Sequence, residues 1–258
     1  MGAGAKWARG IIGVLWLASA PAFAATSVLI WPIDPVLEAD QKAGALWLEN
    51  RGSAPASLQV RVFAWRQGEY QEQFQAQRDI IGSPPVATIA PGQKQLIRLT
   101  RTASSPAGQE LAYRIIIDEI PSPLPADAAS EGPKAAIRLQ MRYSVPLFVY
   151  GDGLWGKPDP EGKRSAEGVG KPQLSWRAVT VQGKPYVELR NSGPVHARLT
   201  DVVLQQAGQD KPLVEGLLGY VLPGASMRWP VPVAPGAASV LKGRINGQEV
   251  AQAIRQGQ

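Results

Sequence analysis

The sequence predicts an all-β protein of two antiparallel sandwiches of the immunoglobulin type, and three observations carry that reading. Apolar and polar residues alternate over many short runs, as in strands with one buried face. Gly, Pro, Asn and Ser clusters punctuate those runs at short spacing. No stretch shows a competing helical period. The clearest run is AAIRLQMRYSVPLFVY (Ala135–Tyr150), apolar at Ile137, Leu139, Met141, Tyr143, Val145, Leu147 and Val149. An ordinary strand has about five or six residues, so this one reads as roughly twice the usual length.

Each element follows in order. The first 24 residues carry Lys6 and Arg9, then the apolar stretch IIGVLWLASA, then PAFA with small residues in an A-x-A arrangement. That is the pattern of a secretory signal peptide, with cleavage expected after Ala24. Its apolar core is too short to span a bilayer, and no stable membrane insertion is expected. SVLIW (Ser27–Trp31) opens the mature chain as a strand. AGALWLENRGSAPASLQVRVFAW reads as two short strands around a polar turn at Asn50–Ser53, residues that favour turns through side-chain bonding to backbone and tolerance of positive φ. YQEQFQAQRDI has room for a helical turn, but its surroundings favour strand and loop. Pro84-Pro85 and Pro91-Gly92 mark turns before the strand QLIRLT. LAYRIIIDEIP is another strand, closed by Pro121, and a proline-, alanine- and acid-rich loop separates it from the long run.

Composition changes at Gly151–Pro172, which is rich in Gly, Pro and charge. It reads as a linker or a large loop between a first domain, 25–150, and a second, 173–258. LSWRAVTV, YVELRNSG, ARLTDVVLQQ, GYVLPGASMRWPVP and SVLKGRING supply further short strands. No internal repeat is strong enough in the letters to claim duplication.

The chain has 258 residues, no cysteine and one histidine, His196. Disulfides are impossible, so stability must come from core burial. One potential imidazole base and no thiol give little support to a catalytic triad, and none to a zinc site. Asp118 and Glu119 are adjacent on a predicted strand, so they point to opposite faces and cannot flank one bond. No phosphate-cradling glycine loop is present. The expectation is therefore not an enzyme, with no cofactor and no metal, and His196 an ordinary strand or turn residue. The formal charge is +6, or +4 once Lys6 and Arg9 depart. Without a basic run it does not point to nucleic acid. The eight tryptophans raise a rival function, a secreted carbohydrate- or surface-binding module. Trp47 and Trp65, each with apolar neighbours, are expected instead in the core.

Three stretches carry a family resemblance. GSPPVATIAPGQKQLIRLTR (Gly82–Arg101) has the Pro-Pro pair, the apolar Ile89, the Pro91-Gly92 turn and the Ile97-Arg98 step. YRIIIDEIP (Tyr113–Pro121) is an aromatic strand ending in Glu-Ile-Pro, and YSVPLFVY (Tyr143–Tyr150) closes a seventh strand. In this order they resemble the PapD-like periplasmic chaperones of the chaperone–usher pathway. RING, near the C-terminus, is similar to the close of that family's second domain. The resemblance implies a boomerang of two immunoglobulin-like domains. It implies a periplasmic protein that binds pilus or fimbrial subunits by donor-strand complementation and delivers them to an outer-membrane usher. A subunit lacking its last strand borrows one; backbone bonds hold the borrowed strand, and alternate side chains fill pockets. The lent side chains here would be Ile137, Leu139, Met141, Tyr143 and Val145.

The departures from the family are specific. The two basic residues that anchor a subunit's terminal carboxylate in better-known members align with Val28 and Pro146, both apolar. The chain therefore resembles the non-classical, archaic branch. Arg114, in an otherwise apolar strand, is the expected substitute, with Arg142 second, because a guanidinium offers a carboxylate a two-pronged donor. Pairing of Arg114 with an internal acid is the competing expectation. Arg98 matches a structural position, and Glu119 a glutamate of the family's interdomain salt bridge. The bridge's expected partner near RING is replaced by Gly247.

Overall fold

A computed structural model describes residues 27–121, 140–154 and 170–257. Every regular element among them is a strand. In the first sandwich, one sheet has the order β1 (Val28–Trp31), β3 (Ala43–Asn50), β8 (Lys94–Arg101), β6 (Ile80–Ser83). The facing sheet runs β2 (Val36–Leu37), β10 (Arg142–Tyr150), β9 (Glu110–Glu119), β4 (Ala56–Gly68), β5 (Gln71–Ala76), and β7 (Val86–Ile89) also pairs with β4. Leu46, Leu48, Ile97 and Leu99 of the first sheet meet Leu58, Ile115, Ile117 and Leu147 of the second with essentially no exposure. Each such side chain stabilises by about 1.5–3 kcal/mol before ordering costs.

The second sandwich follows the path β14 (Gln209–Pro212), β13 (Ala197–Gln206), β17 (Val240–Ile245), β18 (Gln252–Gln256), β11 (Leu174–Val181), β12 (Lys184–Asn191), β16 (Ser226–Pro230), with β15 (Leu217–Val221) paired to β13. Trp176, Val187, Leu189, Leu199, Val202, Leu204 and Leu241 form its core.

Several expectations are corrected. Among the described residues the longest strand is β4, with 13 residues. The described part of the alternating run is β10, with nine residues; Ile137 and Leu139 lie outside the described residues. Gln71–Ala76 is an edge strand, as its surroundings in the sequence favour, joined to β4 through Glu69 and Tyr70 at φ of 52° and 63°. Trp47 is not in the core. Leu46 and Leu48 point inward, so Trp47 must point out, where it stacks on Trp31 at a centroid distance of 6.2 Å. Trp65 is buried, but at the junction of the two sandwiches.

The two sandwiches share a corner that the letters hardly reveal. Asn50 is wholly buried; its Nδ2 donates to Ala54 O (2.8 Å) and Ile89 O (2.9 Å), and its Oδ1 accepts from Gly52 N. Asn191, equally buried, donates to Val195 O (2.8 Å) and Val221 O (3.0 Å) and accepts from Gly193 N. A Pro-Gly turn closes each corner: Gly92 N donates to Asn50 O and Gly224 N to Asn191 O, both at 2.8 Å. Both glycines sit at φ near 72° (71° and 73°), which a type II turn demands at its third residue.

Candidate functional site: an open strand edge at a domain junction

β10 pairs with β9 along its whole length, from Arg142 opposite Asp118 to Tyr150 opposite Glu110. On its other edge β2 reaches only Phe148 and Val149. From Arg142 to Leu147 that edge has no strand neighbour among the described residues. Glu119 N donates to Met141 O on the β9 side, and Phe148 N to Pro35 O on the β2 side. Backbone direction alternates along a strand. The N–H and C=O groups of Arg142 and Ser144, and the C=O of Pro146, therefore face the open edge. The N–H that proline lacks would also have pointed there, so Pro146 costs β9 no bond.

The odd-numbered side chains face the first sandwich's own core. Leu147 and Val149 are fully buried, Val145 is 7% exposed, and Tyr143 packs partly against them. Val145, expected among the lent residues, is thus committed to its own domain. Met141, at 41% exposure, is the expected donor residue that stands free of it.

The even side chains lie on the outer face, with Arg114 and Arg142, but the two arginines do not converge. Arg114 lies opposite Pro146 and Arg142 opposite Asp118, a stagger of about 13 Å along the strands. Arg142 and Arg61 both hold Asp118. Burial pushes that carboxyl up, but the two guanidinium bonds outweigh it and keep it below the usual range. Arg114 is 7% exposed, its guanidinium 3.7 Å above the Trp65 ring and 5.2 Å from that of Tyr220. Its Nη2 donates to Glu72 at 3.4 Å, while its Nε is buried without a partner. Burial lowers its pKa against the pull of Glu72. Arg114 is therefore turned toward β4 and β5, with an internal acid as its partner, and not toward the open edge.

At the base of β10 the sandwiches meet. Phe148, Tyr150 and Trp65 pack with Val195, Tyr220 and Leu222 of the second sandwich. His196 stacks on Phe148 at a centroid distance of 3.4 Å and an interplanar angle of 4°. Its Nδ1 lies 2.7 Å from Oε2 of Glu110, whose side chain has no solvent access. The His196 backbone N–H donates to the same carboxylate. Gln67 bridges the junction, donating to Tyr220 O and accepting from Leu222 N, both at 2.9 Å. Tyr70 lies under Arg228 at 3.3 Å, and Arg228 in turn bonds Glu188. Beside Phe148 and His196 opens a cavity of about 370 Å³, lined also by Asp34, Val36, Lys171 and Arg198.

His196 is thus not an ordinary turn residue, and the carboxylate across from it is Glu110. Glu119 lies at the other end of β9, roughly 30 Å away by strand rise, where it accepts from Met141 N. Arg98 is exposed on the outer face of β8, between Ala45 and Ser83. Sequence reasoning missed Gln67, Tyr70 and Glu110; the one available signal was a glutamate opening an apolar strand. Among the described residues no cluster of His, Cys, Asp and Glu is suited to a metal, and no helix is long and apolar enough to cross a membrane.

Residues 33–154 match the family model described as pili and flagellar-assembly chaperone, PapD N-terminal domain. No curated protein sequence matches the chain. Among solved structures, the chain is similar to the chaperone in the CsuC–CsuE chaperone–tip adhesion subunit pre-assembly complex from archaic Csu pili of Acinetobacter baumannii. The identity is 33%, over 90% of this chain and 100% of that one, with a TM-score of 0.70. It shares its fold with the E. coli chaperone DraB (18% identity, 90% and 98% covered, TM-score 0.58) and with Pseudomonas aeruginosa CupB2 (18%, 87% and 97%, 0.55). One residue in three shared across the whole length of the Csu chaperone, on the same pair of sandwiches, places this chain in the PapD-like family of pilus-assembly chaperones.

Proposed function

We propose that the protein is a periplasmic chaperone, exported by residues 1–24, that holds pilus or fimbrial subunits by lending them the first half of β10 and passes them to an outer-membrane usher. The observation that carries this reading is the edge from Arg142 to Leu147, which has no strand partner among the described residues, with Met141 exposed at its start. An unpaired edge is a template for another strand, and a subunit missing one presents the complementary gap. Ile137, Leu139 and Met141 are the side chains offered, with Tyr143 half committed. Among the similar structures, the Csu chaperone is in a pre-assembly complex with a tip adhesion subunit, and the Salmonella enterica pilin SafA is in complex with the chaperone SafB. Ion pairing, desolvated aromatics and apolar burial suffice for such a task, and no chemistry is required of any residue.

Arg114 enters this function as a cation that a subunit's terminal carboxylate reaches only by displacing Glu72. The test is co-expression in the periplasm with an archaic-type fimbrial subunit. The expected result is a one-to-one complex that protects the subunit from proteolysis and that Met141→Asp weakens. Absence of a complex, together with retention of the chain on immobilised glycans, overturns the reading in favour of a carbohydrate-binding module.

A further inference from the structure

The cavity of about 370 Å³ at the junction is walled from two sides. The first sandwich contributes Asp34, Val36 and Phe148; the second, with the segment leading into it, contributes Lys171, Arg198 and Ile245. Ligand sites favour such junctions, with a largely apolar lining and a few polar groups. The charges here are divided by side. The acid comes from one wall and both cations from the other. Among the described residues none of the three forms an ion pair. Opposite charges thus line one space without touching across it. The backbones beneath them are fixed. Asp34 precedes Pro35, whose carbonyl accepts from Phe148 N at 3.0 Å. Lys171 follows Gly170, whose N–H donates to Leu154 O at 2.9 Å, and a Cβ on Gly193 would lie 2.5 Å from Lys171 O. Arg198 N donates to Asn246 Oδ1 at 2.7 Å, and Asn246 N donates to Arg198 O at 3.0 Å. The Tyr220 phenol senses both walls: burial raises its pKa, Arg198 lowers it and Asp34 raises it.

We propose that this cavity binds a short zwitterion, a free dipeptide with apolar side chains, whose carboxylate meets Lys171 and Arg198 and whose amine meets Asp34. Charge complementarity selects the class. A simple anion would leave Asp34 facing it, and a simple cation would face two positive groups. A molecule carrying both signs satisfies both walls. Size selects the length. A sphere of the cavity's volume is about 9 Å across. Two extended residues reach about 7 Å, and three reach about 10–11 Å. A single amino acid carries both charges on one carbon, too close together to reach both walls. The apolar surface of Val36, Phe148 and Ile245 takes the side chains, and their burial supplies adhesion that the charges then orient. Occupancy is binding alone, with no bond made or broken.

This site goes beyond the chaperone reading and does not rest on it, so the purified chain alone suffices for the test. Valyl-phenylalanine is expected to bind one to one by calorimetry, with a dissociation constant of about 0.1–1 mM. In a nuclear magnetic resonance titration it is expected to shift the methyl signals of Val36 and Ile245. N-acetyl-valyl-phenylalanine lacks the amine charge, and valyl-phenylalaninamide lacks the carboxylate. Each is expected to bind about fivefold more weakly. Asp34→Asn is expected to weaken the dipeptide by about the same factor and to abolish the preference over the acetylated form alone. Lys171→Gln and Arg198→Gln are expected to lower the preference over the amide alone. Asp34 and Lys171 are exposed, so their substitutions are expected to leave the thermal midpoint in place, and these two variants decide the matter even if Arg198→Gln unfolds. No binding up to about 10 mM dipeptide, equal affinity for the blocked forms, or variants that weaken all three probes alike would each overturn the proposal. A chain that binds the dipeptide as described but no pilus subunit overturns the chaperone reading and leaves this site standing.

Discussion

From Leu147 to Tyr150, β10 is buried on both faces, and at Phe148 and Val149 it has a strand on each edge. From Arg142 to Ser144 it has one strand neighbour among the described residues, and Arg142 and Ser144 stand in solvent. The lower half belongs to three structures at once: the first core, the second sandwich and the ladder with β9. The upper half belongs to the ladder and, through Tyr143, only partly to the first core. A strand to be lent must be anchored somewhere it cannot leave, and here anchor and offering are parts of one continuous strand.

The comparison can be broken most forcefully at the anchor. Phe148 is fully buried and in contact with Trp65, Tyr220 and His196. Phe148→Ala is expected to destabilise the protein by about 3–5 kcal/mol, read as a fall in the urea midpoint. The offered half should respond in the opposite manner. Ser144 N–H faces the open edge, so Ser144→Pro removes a bond available only to a guest. Thermal stability is expected to stay within about 0.5 kcal/mol of wild type, as at an uncommitted surface position. Subunit affinity is expected to drop several-fold, corresponding to about 1 kcal/mol for one bond, as read by calorimetry. Equal effects of the two substitutions on stability would erase the distinction.

The smallest effect sharpens it from the far side of the junction. Glu188 is held by Arg177 and Arg228. Burial raises its carboxyl pKa, but the two guanidinium bonds prevail and keep it below the ordinary carboxylate range. A depressed carboxylate adds stability above its unfolded pKa and loses it as the pH falls through the folded value. Glu188→Gln is therefore expected to cost about 1 kcal/mol at neutral pH, given its partly exposed partners. That cost should shrink as the pH falls below about 4. A midpoint difference that does not depend on pH would show that the ion pair is not its cause.

Much of the fold was legible because strands declare themselves locally. Alternation located β1, β3, β8, β9 and β10, and the prolines and glycines located their turns. What could not be read was destination. Trp47 lies between Leu46 and Leu48, three apolar letters in a row, and nothing local says which one faces water. Val145 and Met141 occupy equivalent places in an alternating pattern, yet one fills its own core and the other does not. Period two states that a face is apolar, not whose interior it enters. The site was less legible still. Glu110 and His196 are 86 positions apart, and their pairing exists only once two sandwiches have folded and docked. Arg114 was singled out correctly as anomalous, but its partner Glu72 lies on β5, a strand with no apolar alternation and every residue exposed. The repeated asparagine corner was hidden for another reason: only Asn, Gly and a later Pro-Gly recur, and their separation differs between the halves.

Pro146 carries one more implication. Any chain zipping onto the free side of β10 finds donors at Arg142 and Ser144, then none at Pro146, and at Phe148 finds the donor already given to Pro35. The zipper has a built-in terminus, so a visitor can slide toward the hinge only so far before its hydrogen bonds run out. Its alignment is thereby bounded by backbone chemistry alone, whatever side chains it brings.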